Sequence, residues 1–159
     1  MTDTNKNVRQ AQTDLFLRLE TFELVLSELY KAYASLFPDM HDLWHNMAKE
    51  EEQHAKWVQI MIGLLEDGYH FYNLDSIKVS MLNEKIGMIE KQREEAQRGN
   101  VTQKDAIITA LSLEASIIEA EIYQNIKSDA PTLPYITEQL VRETQKHNDQ
   151  INLALKHLK

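Results

Sequence analysis

The sequence predicts an all-α protein, a four-helix bundle made of two antiparallel hairpins with a long helical crossover between the second and third helices. Three observations predict this fold. The 159 residues include 4 glycines and 3 prolines, while good helix formers such as Leu, Ala, Glu and Lys are abundant. Apolar residues recur at spacings of three and four over four long segments, as on one face of a helix. Turn signals divide those segments into two pairs.

The first helix is predicted to start near Thr13 or somewhat earlier and to run to about Leu36. Residues 1–10 are expected to form a flexible tail. Pro38 then breaks the helix, and Asp39 is expected to cap the next one, which makes a tight turn. The inward stripe of this helix consists of Phe16, Leu19, Glu23, Leu26, Tyr30, Tyr33 and Phe37.

The second helix carries two ionisable residues on its apolar face. That face consists of Trp44, Met47, Glu51, His54, Val58, Met61 and Leu65. A buried charge is costly unless it is paired, neutralised or bound to a metal, so Glu51 and His54 require partners. Glu23 lies fifteen residues before Pro38 and Glu51 thirteen after it, so the two carboxylates should face each other at the same height. A Glu and a His three residues apart, pointing into a bundle, are typical of half a two-metal site.

The second helix is expected to end around Glu66, where Gly68 provides a left-handed stop. Residues 67–100 form the predicted crossover, with a helix from about residue 76 to residue 98. Its roughly 20 residues span about 30 Å, which is the length of such a bundle. The crossover therefore returns the chain to the end at which the second helix began.

The second hairpin is predicted to begin at a capping box formed by Thr102 and Asp105. A proline-containing turn at residues 130–134 separates its two helices, and the last helix runs to about Leu158. The inward stripe of the third helix consists of Ile107, Leu111, Glu114, Ile118, Glu121 and Asn125. That of the fourth helix consists of Leu140, Thr144, His147, Ile151, Ala154 and Leu158.

The two hairpins are related by an offset of 93 residues. The offset pairs Tyr30 with Tyr123, His54 with His147, Glu51 with Thr144, and Glu23 with Ser116. Glu114 lies two residues from Ser116 and supplies the matching carboxylate. Nothing comparable replaces Glu51, because Glu143 beside Thr144 points about 100° away from the stripe. The second half of the repeat is therefore predicted to be degraded.

The chain resembles the ferritin-like superfamily, and within it the rubrerythrin-like branch. The resemblance is carried by Glu23 with Tyr30, by Met47-Ala48-Lys49-Glu50-Glu51-Glu52-Gln53-His54-Ala55, by Ala110-Leu111-Ser112-Leu113-Glu114 with Tyr123, and by His147. It implies a dinuclear iron site that reacts with peroxide or oxygen, with manganese or zinc as other metals. By resemblance the metal ligands are Glu23, Glu51, His54, Glu114 and His147.

Two departures qualify what the resemblance implies. Thr144 stands where the family has a bridging carboxylate, and the cysteine-ligated rubredoxin domain is absent, so electrons would come from an external donor.

Glu20 and Glu121 lie within one turn of the stripes and are alternative ligands. Tyr30 and Tyr123 would either hydrogen-bond a ligating carboxylate or fill the core.

Composition limits the other classes of function. The chain has no cysteine, which excludes disulfides and thiolate metal sites. Its net charge is −8 and its basic residues are not clustered, which argues against a nucleic acid partner. The polar N-terminus and the absence of a long apolar run predict a cytoplasmic protein, a single domain over 1–159 with no membrane partner. A homodimer is left open.

A second hypothesis places no metal in the protein. In it, the inward carboxylates and histidines form a hydrogen-bonded polar network. The bundle would then act as an interaction or structural protein, through its acidic surface and the aromatic residues at 69–72.

Overall fold

The computed structural model describes residues 2–158, apart from the side chains of residues 117–120. Over this range the protein is all-α, with six helices, two one-turn 3₁₀ helices and two very short strands. The helices are α1 (Asp3–Leu36), α2 (His41–Glu66), α3 (Val79–Gln97), α4 (Gln103–Glu114), α5 (Ile117–Asn125) and α6 (Leu133–His157). The strands are β1 (Phe71–Tyr72) and β2 (Lys127–Ser128). Within residues 2–158, no helix combines the length and the apolar character that a membrane span requires.

The first hairpin packs α1 against α2, as predicted, but its first helix is longer than expected. α1 begins at Asp3, so the predicted tail at residues 1–10 is helical from residue 3 onward. Extending an existing helix adds one hydrogen bond per residue, so a polar segment without proline or glycine continues it readily. Asp39 does not cap α2: it lies in the 3₁₀ turn Pro38–Met40, and Met40 takes the N-cap position.

The predicted inward faces of the first hairpin form the core. Every residue of the predicted α2 stripe is buried, and in α1 the stripe is buried from Phe16 to Tyr33. Trp44 packs against Tyr30 and Tyr33, with ring centroids 5.6 and 5.0 Å apart. This packing fixes the register of α1 on α2, and so brings Glu23 level with Glu51.

The connection between α2 and α4 contains the helix α3 and a strand of a small sheet. Gly68 ends α2 with a φ of 98°, the left-handed conformation that glycine favours. α3 packs against α1. β1 pairs antiparallel with β2, which joins the connection after α2 to the connection before α6. A two-residue strand has no period that a sequence pattern could show, and this pairing was not predicted.

The predicted third helix is divided into α4 and α5. The capping box of Thr102 and Asp105 is present at the start of α4, as predicted. Ser116 has an extended backbone (φ −63°, ψ 141°) and takes the N-cap position of α5, although its side chain makes no capping hydrogen bond. The break rotates the buried face, so that Glu121 is exposed and Tyr123 is buried. Ile118 of the predicted stripe lies outside the described side chains. α6 packs on both α4 and α5.

Candidate metal centre

The structure brings five of the predicted site residues together in the interior. Glu23, Glu51, His54 and His147 are 0% exposed, and Glu114 is 1% exposed. They come from α1, α2, α4 and α6, and α2 contributes two of them. Such a concentration of buried ionisable groups is rare unless they compensate one another or bind a cation.

The five residues form two groups of three that share one carboxylate. The first group is Glu23, Glu51 and His54, and the second is Glu51, Glu114 and His147. In each group the three ligand atoms lie within 4.8 Å of one another. Glu51 Oε2 lies 2.9 Å from Nδ1 of His54, and its Oε1 lies 3.1 Å from Nδ1 of His147. The two oxygens of one side chain thus serve the two groups.

The other two carboxylates flank this centre. Glu23 Oε2 lies 3.6 Å from Nδ1 of His54, and Glu114 Oε1 lies 3.4 Å from Nδ1 of His147. Both histidines therefore turn the same nitrogen, Nδ1, toward a pair of carboxylates. Each group offers a cation one terminal carboxylate, one imidazole and one oxygen of the shared Glu51.

Two tyrosines hold the terminal carboxylates by hydrogen bonds between the halves of the chain. Tyr30 donates its hydroxyl to Glu114 Oε1 at 2.6 Å, and Tyr123 donates to Glu23 Oε1, also at 2.6 Å. Of the two roles expected for these tyrosines, the structure thus shows the hydrogen bond to a site carboxylate. In Glu23 the other oxygen, Oε2, faces His54, whereas in Glu114 the oxygen that accepts from Tyr30 is also the one that lies 3.4 Å from Nδ1 of His147.

The outward nitrogens of the histidines contact two carboxylates outside the predicted ligand set. His54 Nε2 lies 2.8 Å from Glu143 Oε2, and His147 Nε2 pairs with Glu50 Oε2. Hydrogen bonds of this kind fix the tautomer and the orientation of a metal-binding imidazole. The signal was present in the sequence, because the offset of 93 that relates the histidines also carries Glu50 onto Glu143.

Thr144, the repeat counterpart of Glu51, is buried at 2% exposure. Its hydroxyl donates to the carbonyl of Leu140 at 2.8 Å, one turn earlier in α6. Glu143 points away from the stripe, as expected, and reaches the outer nitrogen of His54 rather than the space between the two groups. Within the described residues, the second half of the repeat therefore supplies no carboxylate equivalent to Glu51 in either group.

The alternative ligands lie outside the two groups. Glu20 is half-buried and Glu121 is exposed. For Glu121 the cause is the break at Ser116, which turns this part of the chain relative to α4. The aromatic segment considered as an interaction surface is also divided, since Phe71 is buried against Phe16 while Tyr72 is 51% exposed.

Burial and neighbouring charges shift the pKa values of the carboxyl groups in opposite directions. Burial, followed by the nearby charge of Glu51, raises the pKa of Glu23 to about 7. The hydrogen bond with His147 lowers the pKa of Glu50 to about 2. The interior carboxyl thus approaches neutrality at pH 7, while the carboxyl at the edge of the site stays ionised.

Both imidazoles favour the protonated form. Burial lowers the pKa of His54, but the charge of Glu51 and the hydrogen bond with Glu143 outweigh burial and place the pKa well above its usual value. For His147 the hydrogen bond with Glu114 is the largest of the effects that together overcome burial and raise the pKa to about 12. In the absence of metal, protons therefore provide the positive charge that balances the carboxylates.

Unsatisfied atoms show that the donor set fits a cation. Glu23 Oε2, Glu51 Oε1 and His147 Nδ1 are buried and make no hydrogen bond of good geometry among the described residues, although His147 Nδ1 lies 3.1 Å from Glu51 Oε1. Buried polar atoms nearly always have partners, so three exceptions at one centre need an explanation. Glu23 Oε2 belongs to the first ligand group, and Glu51 Oε1 and His147 Nδ1 belong to the second, so one cation in each group would satisfy them.

Comparison of the chain with models of protein families, with curated proteins and with solved structures finds no match.

Proposed function

We propose that this chain is a rubrerythrin-like dinuclear metal protein of the ferritin-like superfamily. In this proposal one hairpin consists of α1 and α2. The other consists of the divided helix α4–α5 together with α6, and α3 is the crossover of the four-helix bundle. The observation that carries it is the position of Glu51, whose two oxygens lie 2.9 and 3.1 Å from the inward nitrogens of two histidines. A carboxylate placed in this way can bridge two ions.

The donor set favours iron or manganese. Carboxylate and imidazole ligands suit both metals, and zinc accepts the same donors. When bound, a pair of redox-active ions supplies the electron exchange and the Lewis acidity that reduction of peroxide or oxygen requires. We propose this oxidoreductase chemistry as the activity of the protein.

The side chains of the site would support that chemistry in distinct ways. Glu51 sets the spacing of the two positions, and the hydroxyls of Tyr30 and Tyr123 hold the terminal carboxylates. Trp57 stacks on His54 with ring centroids 5.9 Å apart and covers the outer face of that imidazole. The complete burial of the five candidate ligands excludes bulk water, which strengthens the interaction of the carboxylates with a cation. We propose that the electrons come from a separate electron donor.

Metal content after anaerobic incubation with ferrous iron tests the site. The unaltered protein is expected to retain iron through gel filtration, and the double variant Glu51→Ala/His54→Ala is expected to lose it while its helical circular dichroism persists. A matched control is His45→Ala/Glu52→Ala, which removes the same residue types from α2 outside the two groups. Equal iron content in both double variants would refute the metal assignment.

Reactivity is tested separately on the iron-loaded protein. Rapid mixing with hydrogen peroxide, and in parallel with oxygen, is expected to change the absorbance of the iron within one turnover. A protein that binds iron but shows no absorbance change with either oxidant would refute the proposed oxidoreductase while leaving the metal centre in place.

A further inference from the structure

Two histidines lie one turn apart at the start of α2. His41 is exposed and His45 is half-buried. Their rings stack, with centroids 5.3 Å apart and planes 14° from parallel, because side chains at positions i and i+4 of a helix are neighbours on one face. At about 1.5 Å of rise per residue, His45 lies roughly 9 Å along the helix from Glu51, and His41 lies further away. The pair is therefore separate from the two buried ligand groups.

The ring of His41 has a partner that fixes its tautomer. Its Nδ1 lies 3.3 Å from the backbone carbonyl oxygen of Ala34 in α1. A carbonyl oxygen can only accept a hydrogen bond, so Nδ1 carries the proton, and Nε2 of the neutral ring keeps its lone pair. Metal-binding histidines usually donate their other ring N–H to a carbonyl or a carboxylate in this way. The contact with Ala34 thus leaves Nε2 of His41 available as a ligand.

The distance between the two rings fits a shared ion. An imidazole nitrogen binds zinc at about 2.0 Å, so two imidazoles at a tetrahedral angle around one ion have centroids about 5.2 Å apart. The observed separation of 5.3 Å matches this value. Rotation of the rings about their Cβ–Cγ bonds would turn both Nε2 atoms toward one ion, and it leaves the centroids almost in place. The backbone therefore needs no rearrangement.

The charges near the pair also permit a cation. The N-terminal end of a helix disfavours positive charge. Here the acidic residues Asp39 and Asp42 lie in the first turns of the 3₁₀ helix and of α2, and their carboxylates offset this effect.

We propose that His41 and His45 form a second metal site, at the surface, for zinc or copper(II). Imidazole suits both ions, whereas manganous and ferrous ions stand at the low end of the affinity order. Solvent completes the coordination, because His41 is exposed. Ferrous ion on such a pair is lost during gel filtration, so His45→Ala/Glu52→Ala remains a valid control for the buried centre. The inference does not depend on the proposed function.

Titration of the unaltered full-length protein with zinc, followed by the NMR resonances of the histidine ring nitrogens, tests the site. Before zinc is added, His41 is expected to show the tautomer protonated at Nδ1. Zinc is then expected to shift the resonances of His41 and His45 together, with one common affinity. Zinc in the buried centre shifts the resonances of His54 and His147 instead, so failure of either site is seen separately.

Three variants distinguish a shared ion from binding to single histidines. His45→Ala is expected to weaken zinc binding at His41 roughly 100-fold, because the second ligand no longer acts at a high effective concentration. His45→Ala/Asn46→His restores the number of imidazoles but turns the second one about 140° away from His41 around the helix, so the affinity should not recover. His157→Ala removes an exposed histidine of α6 and should leave the affinity unchanged.

Three results would each overturn the shared site. They are separate shifts of the two rings at different zinc concentrations, an unchanged affinity in His45→Ala, and full affinity in His45→Ala/Asn46→His. A joint shift that both of these variants abolish, and that His157→Ala preserves, supports it.

Discussion

Glu51 is the residue at which the two halves of the chain meet, and the contacts around it are reciprocal. Tyr30 of the first half holds Glu114 of the second, and Tyr123 of the second half holds Glu23 of the first. The outer carboxylates follow the same rule, since Glu143 contacts His54 and Glu50 contacts His147. Thr144 is the position at which this reciprocity fails. Because Thr144 stands in the second half at the position equivalent to Glu51, the site has one shared carboxylate and not two.

The loss at Thr144 predicts a site with incomplete coordination. A neutral hydroxyl is a poorer ligand than a carboxylate for ferrous or manganous ion, so titration should show one tighter and one weaker site, or a single site. Thr144→Glu is expected to strengthen the weaker site by supplying a second bridging carboxylate. Asn152→Glu, an exposed change of equal charge on α6, is the control for electrostatic attraction alone.

Isothermal titration calorimetry with manganous ion measures both constants. Two equal, tight sites in the unaltered protein would contradict the prediction. An equal gain in the Asn152→Glu control would assign the effect to net charge instead of to a bridge.

The raised pKa values of the histidines predict that metal binding releases protons. His54 and His147 have raised pKa values in the metal-free protein, so both are protonated near pH 7, and a metal ion must displace the Nδ1 protons. Metal affinity should therefore fall as the pH falls, because protons then compete more strongly. Titration in two buffers of different ionisation enthalpy counts the released protons. A binding enthalpy independent of the buffer would contradict this prediction.

At the scale of the secondary-structure element, the sequence predicted the features that have a regular residue spacing and did not predict the irregular ones. The buried stripe of α2 could be predicted in full because its spacing of three and four residues continues over six turns. That Glu23 and Glu51 face each other followed from the number of residues between each of them and Pro38. The break at Ser116 was missed because the apolar spacing continues across it in the sequence, while the backbone conformation changes there. The β1–β2 pairing joins residues 71–72 to residues 127–128, a contact that no local pattern encodes.

The capping box at the start of α4 makes a prediction for this element. The hydroxyl of Thr102 accepts from the backbone of Asp105 at 3.1 Å, and Asp105 in turn accepts from the backbone of Thr102. Thr102→Ala removes one of these bonds and is expected to lower the free energy of unfolding by about 1 kcal/mol. Urea denaturation measures the change, with Ser112→Ala, an exposed substitution in α4, as the control. Equal stability of the two variants would show that the cap contributes little.

At the scale of the whole molecule, the ionisable residues of the site contrast with the apolar core that surrounds them. Aromatic and aliphatic side chains from all the long helices form one core, and the five ionisable residues interrupt it at its centre. Without metal, their charges are balanced by protons on the histidines, so we expect the metal-free chain to remain folded. With metal, the same groups bind an ion that the unfolded chain cannot hold in this geometry, and folding and binding become linked.

This linkage predicts that metal raises the melting temperature. A ligand present at 100 times its Kd stabilises the folded state by about 2.7 kcal/mol, which for a chain of this length corresponds to a rise of roughly 5 to 10 °C. Manganese should produce this rise at neutral pH, and a chelator should reverse it. The rise should shrink as the pH is lowered, because protons then compete more strongly with the metal for His54 and His147. The Glu51→Ala/His54→Ala variant provides the control, since its melting temperature should not respond to metal. If that variant and the unaltered protein shift equally, the stabilisation comes from metal bound to the acidic surface, and the buried residues form a polar network in place of a metal centre.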